Sequence, residues 1–200
     1  LFPRVRPLGG AGVDLLLRDG RIAAIGSALE APQAPIDIED GGGALLLPGL
    51  VEGHTHLDKT LWGMTWYRNE VGTRLDDKID SDRAFRQASG HDAAGQSLAL
   101  ARAFLARGTT RLRTHVDIDT QAGLRHLEGV ARTREAMQAL QQIQIVAFPQ
   151  SGLLQRPGTA ALLEQAMGAG AHLLGGLDPC AVDGGLGGAD GVLAAAVEAL

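Results

Sequence analysis

"LLLPGLVEGHTHLDKT", Leu45 to Thr60, is apolar for several residues and then sets two histidines one residue apart. Read as one strand from Leu45 to His56, it points residues two apart to the same side. His54 and His56 can then each offer a ring nitrogen to one metal ion at about 2.0 to 2.1 Å, while Thr55 faces away. The apolar residues ahead of them supply the rigid packing that metal ligands need. An H-x-H triplet on its own also arises by chance, or as polar filling at the end of a barrel, so its surroundings decide.

Upstream, "VDLLL" and "RIAAIG" flank Arg18-Asp19-Gly20, a hairpin signal because Asp and Gly both tolerate positive φ. "APQAP" loops into the short alternating segment "IDIED", and Gly41 to Gly43 form a hinge. This places a domain boundary near Gly43, with a small β unit over 1–43 and a second domain over 44–200.

Downstream, strands alternate with helical stretches, which argues for parallel βαβ units because parallel neighbours need a crossover. A long loop carries Trp62, Trp66 and Tyr67, and a helix spans Ala93 to Arg107 with Leu98, Ala101 and Leu105 on one face and Gly108 ending it. "TRLRTHVD" (Thr110 to Asp117) is the second strand. Thr120 is placed to cap a helix that buries Leu124, Leu127, Val130, Met137 and Leu140. "IQIVAFPQ" is the third strand, ending at Gln150. A helix from Thr159 to Met167 leads to the fourth strand, "AHLLGGLDP", and a last helix starts near Ala189.

The strand ends carry polar groups: His54/His56, His115/Asp117, Gln150 and Asp178. Chemistry collects at that end in βα barrels, and a closed barrel needs about 250 residues, so the first half of a (β/α)8 TIM-type barrel fits better than an open sheet.

Composition narrows the function classes. With 200 residues and 45% hydrophobic content the chain is globular, and its net charge of −5 offers no basic stripe for nucleic acid or acidic lipid. No apolar run is long enough for a membrane span. Cys180 stands alone, which excludes an intrachain disulfide, points to the cytoplasm and leaves a thiol mechanism without partners. "GGLGGADG" lacks the spacing of a phosphate loop. Lys59 and Lys78 are the only lysines in an arginine-rich chain, a bias ascribed to the source genome. The opening on Leu1 and the lack of a stop signal after "GVLAAAVEAL" make both ends read as cut.

Taken together, "HTHLDKT", "RTHVDID" and "VAFPQSGLL" resemble the amidohydrolase superfamily of metal-dependent hydrolases, in its cytosine deaminase-like branch. The resemblance implies the first half of a TIM-type barrel, preceded by N-terminal strands of a small β-sandwich domain. It implies one divalent metal ion, zinc or iron, with His54 and His56 among its ligands. Branches resembling dihydroorotase and hydantoinase carry an arginine where Asp58 stands, and the fourth strand has no lysine to bridge two metals. Gln150 would meet the amide-like edge of a small heterocyclic substrate, cytosine-like or aminotriazine-like, in a hydrolytic deamination; the alternative is that Pro149-Gln150 only turns the strand.

The remaining ligands and the acid/base residues are expected beyond Leu200, so the chain alone should be inactive. His115, Asp117 and Asp119 read as packed or solvated groups, His91, His126 and His172 as structural or exposed, and the aromatics of the long loop as either ring-stacking or lid packing. The open sheet edges imply a fragment or a homo-oligomer. A reading from another class is a non-catalytic half-barrel that binds a ligand or dimerises.

Overall fold

The computed structural model describes residues 1–33 and 35–177; Asp178, Cys180 and the helix expected from Ala189 lie outside the described residues. The chain forms two compact units, Leu1–Pro48 and Gly49–Leu200.

The first unit is a four-stranded sheet of β1 (Phe2–Pro7), β2 (Val13–Arg18), β3 (Arg21–Gly26) and β4 (Leu45–Leu46), in the order β3-β2-β1-β4. The β2-β3 hairpin pairs Arg18 with Arg21 across Asp19 (φ 51°) and Gly20 (φ 70°), the two positive φ values a two-residue hairpin turn requires. The Asp14 carboxylate accepts from the backbone N–H of Arg4 and of Leu29, which ties the hairpin to its neighbours.

The apolar run ahead of the histidines is two strands rather than one. Leu45 and Leu46 pair in parallel with Arg6 and Pro7, and a new strand, β5 (Leu50–Thr55), begins in the other sheet. The reason is Pro48, which has no N–H to give a ladder. Gly49 then runs so close to the segment around Thr110 that a Cβ there would overlap the Thr110 side chain.

The second unit continues with α1 (Leu75–Ala88), α2 (Ala93–Leu105), β6 (Thr109–Asp117), α3 (Arg125–Met137), β7 (Gln142–Phe148), α4 (Thr159–Gly168) and β8 (Leu173–Leu174). Its sheet runs β5-β6-β7-β8, parallel throughout, so sequence order is spatial order and helices make each crossover. Strand β7 is close to continuously apolar and buried, as a parallel strand covered on both faces must be. Ala101 of α2, Leu127, Val130 and Met137 of α3, and Leu163 and Ala166 of α4 close the core over β6 and β7. Gly129 lets α3 approach the first turn of α2, and the hydroxyls of Ser97 and Thr133 bond at 2.6 Å between the two helices.

Two local readings are corrected. The loop after β5 contains α1, which carries no apolar stripe for sequence periodicity to register; Arg86 instead pairs with Asp82 one turn earlier at 3.4 Å, and Phe85 stacks on Tyr67 with ring centres 4.3 Å apart. Thr120 does not cap α3, which starts at Arg125. Asp119 turns the chain there, its Oδ1 accepting from the N–H of Gln121 and of Ala122, and Leu140 lies past the helix end, 64% exposed.

The β5-β6 ladder contains two irregularities. Leu50 faces Thr109 but Val51 faces Arg111, leaving Thr110 extra on β6; Glu52 faces Leu112 but Thr55 faces Thr114, leaving an extra residue on β5 around Gly53 and His54. Among the described residues no helix is long and apolar enough to cross a membrane.

Candidate active site

His54 and His56 arrive on the end of β5, with ring centres 5.7 Å apart. His54 is exposed and His56 half-buried. The His115 ring, from β6, stacks on His54 at 4.1 Å and lies 5.7 Å from His56, and Phe148 from β7 meets His56 and His115 edge-on. Nδ1 of His56 lies 3.0 Å from the carbonyl oxygen of His115. A carbonyl only accepts, so Nδ1 carries the proton and Nε2 keeps a free lone pair.

Burial, with Lys59 nearby, lowers the His56 pKa to about 4, so the ring is neutral near pH 7. Burial also lowers His115, helped by the facing His54. After His56 the chain is fixed by Thr114, whose Oγ1 accepts from the Leu57 N–H at 2.9 Å. His115 packs against the histidine pair itself.

Beside the imidazoles lies a charge network. Nζ of Lys59 donates to Asp117 Oδ1 at 2.9 Å and to Gln150 Oε1 at 2.7 Å, joining the ends of β5, β6 and β7. Arg86 of α1 lies 3.8 Å behind Asp117. Burial and the neighbouring Asp58 push the Asp117 pKa up to about 6, against the pull of Lys59 and Arg86. Asp58 is fully buried, which alone would raise it, but His126, Lys59 and the Asp117 N–H hold it below the ordinary carboxylate range.

Asp58, Asp117 and His126 bring ligand-type atoms within 4.8 Å of one another. That cluster is distinct from the histidine pair, and its carboxylates already face Lys59 and Arg86, with Asp58 Oδ2 also 3.1 Å from His126 Nδ1. It therefore reads as an internal ion network rather than a place for a metal. Asp119 is half of a second buried pair, with Arg83 of α1 at 2.9 Å.

Of the other residues singled out in the sequence, Trp62 and Trp66 are 52% and 87% exposed. Tyr67 is pinned to α1 through its ring and through a 2.6 Å bond between its hydroxyl and that of Ser81. His91 bonds the Thr60 carbonyl, and Nδ1 of His172 accepts from the Ile145 N–H, both structural roles. Sequence reasoning missed Lys59, Arg83 and Arg86. The signals available for Lys59 were its place in "HTHLDKT" and its rarity among arginines, the second of which composition alone explains equally well.

Parallel strands in spatial order, helical crossovers and polar groups at the strand ends define half of a TIM-type barrel. No family model matches the chain. A solved N-isopropylammelide isopropylaminohydrolase from Burkholderia multivorans is 57% identical with a TM-score of 0.89, over 99% of this chain and 50% of that one. A 5-methylcytosine deaminase from Klebsiella pneumoniae, solved with 5-fluorocytosine, is 31% identical with a TM-score of 0.73, over 88% of this chain and 42% of that one. The N-isopropylammelide isopropyl amidohydrolase of Pseudomonas sp. strain ADP is 29% identical over 150 residues, 70% of this chain and 36% of its own length.

The chain thus spans half or less of the length of these relatives. It belongs to the amidohydrolase superfamily, in the cytosine deaminase-like branch.

Proposed function

We propose that His54 and His56 are two of the ligands of a single divalent metal ion, zinc or iron, in a cytoplasmic enzyme that hydrolyses a C–N bond of a cytosine-like or aminotriazine-like ring. The observation that carries this is the bond between His56 Nδ1 and the His115 carbonyl. It fixes the tautomer with Nε2 free, as an outer partner does for a metal-bound histidine. When bound, the ion supplies an activated water near neutral pH.

His115 supports the His54 ring by stacking, Thr114 fixes the strand end after His56, and Gln150 holds the substrate ring in reach. The names of the solved relatives favour a heterocycle carrying an amino or alkylamino group. Two imidazoles are too few to hold an ion firmly, so the other ligands and the acid/base group belong to the rest of the protein.

The test uses the full-length protein. Elemental analysis should find about one metal per chain, and paired replacement His54→Ala and His56→Ala should remove it and lower amine release by about 10³-fold or more. Unchanged metal content in the double variant would overturn the assignment and leave a non-catalytic half-barrel as the better account.

A further inference from the structure

A glutamine beside a ring can offer its carbonyl end or its amino end, and at Gln150 that choice is made by Lys59. An ammonium has three donors and no acceptor, so the amide atom 2.7 Å from Nζ has to be the oxygen. That leaves Nε2 as the outward end, and it makes no hydrogen bond to a described residue. Lys59 is itself held in place. Its side chain is 16% exposed, Asp117 accepts a second of its protons, and the Asp117 backbone is fixed by its N–H bond to the buried Asp58.

Lys59, Asp117 and Gln150 share the wall of a cavity of about 260 Å³, roofed by Tyr67, Asn69 and residues of α1. Its charged lining is Lys59, Lys78 and Arg86 against Asp82 and Asp117, an excess of one positive charge. Donors and positive charge converge there, and they suit a ring edge that accepts.

We propose that Lys59 is a positioning residue that determines specificity: clamped by Asp117, it locks the Gln150 amide with Nε2 outward, so the site selects a heterocycle presenting a ring carbonyl oxygen on that edge over one presenting an amino group. This rests on the proposed function, in which Gln150 touches the ring, and it deepens that reading by naming the substrate class. A ring amino group would meet donors with donors and leave buried polar groups unpaired, which is the kind of mismatch binding sites reject most strongly.

The experiment measures kcat/KM of the metal-loaded, full-length protein for 4-aminopyrimidin-2-one and for 2,4-diaminopyrimidine. These rings share the leaving amine and differ in the edge group. The ratio of the two within each variant cancels differences in folding and metal loading. Lys59→Met should shrink the preference for the oxo ring by about tenfold or more, chiefly through KM, while Lys59→Arg, which keeps donors toward Gln150 and Asp117, restores part of it.

Gln150→Glu offers acceptors only and should move the ratio toward the diamino ring. If Lys59→Met yields no soluble protein, the Gln150→Glu ratio decides, and an unmoved ratio overturns the proposal. Turnover with the wild-type ratio in Lys59→Met overturns this inference alone. Absence of turnover of both rings by the wild type overturns this inference, which requires the oxo ring to be accepted; the proposed function falls only if amino- and alkylaminotriazines are not turned over either.

Discussion

Among the described residues, the buried apolar side chains of Leu1–Pro48 are Val5 and Leu15, whereas the core of the second unit gathers fifteen around β6, β7 and their helices. The backbone shows the opposite bias. Arg4, Leu8, Asp19 and Ala28, the non-glycine residues with positive φ among those described, all lie in the first unit. Its shape is set by turns and by side chains that take up backbone N–H groups, as Asp14 does. The second unit is set by burial, and the polar groups at its strand ends are held by that packing. The candidate groups His54, His56 and Gln150 lie at or just beyond the strand ends of the second unit.

Deleting buried volume from the second unit should break this contrast most forcefully. Ile145→Ala, at a fully buried site in β7, should cost about 2–5 kcal/mol in urea unfolding of the full-length protein. A cost under about 1 kcal/mol would mean that β7 is not the centre of the core.

Asp119→Asn tests the polar layer above that core. Burial would raise the Asp119 pKa, but the N–H groups of Ala122 and Gln121, the Ser151 hydroxyl and Arg83 hold it below the ordinary carboxylate range. A depressed pKa contributes stability above the unfolded value near 4, which is lost as pH falls through the lower folded value. The variant should therefore lose about 1–3 kcal/mol at pH 7. Its gap from wild type should narrow below about pH 4, and a gap independent of pH would show that the carboxylate charge contributes nothing.

The smallest effect is expected in the first unit. Ile25→Ala, at a side chain 56% exposed on β3, should change stability by no more than about 0.5 kcal/mol. A loss comparable to that of Ile145→Ala would erase the distinction between the two units.

The sequence made legible whatever was written in local pattern. The Asp19-Gly20 turn, the alternation of β6, the apolar run of β7 and the buried stripe of α3 all follow from neighbours along the chain, and the half-barrel follows from their order. The helix α1 was hidden because what holds it is not an apolar stripe but aromatic stacking and ion pairs with Asp117 and Asp119. The break at Pro48 was hidden because Leu45–Leu46 and Leu50–Thr55 look alike until each finds a different partner strand.

At the candidate site, His54, His56 and Gln150 could be named from motif. Lys59 stands in the same quoted segment, but its role stayed hidden because its partners Asp117 and Gln150 lie 58 and 91 residues away.

The paired bulges of β5 and β6 carry an evolutionary corollary. The surplus residue on one strand at Thr110 is cancelled by the surplus on the other around Gly53, so the ladder returns to its starting register by Thr55. Shortening β5 by Gly53 would make a tidier sheet, yet it would reverse the facing of everything upstream relative to the imidazoles. Genes encoding this segment should therefore tolerate changes of letter far more readily than changes of length.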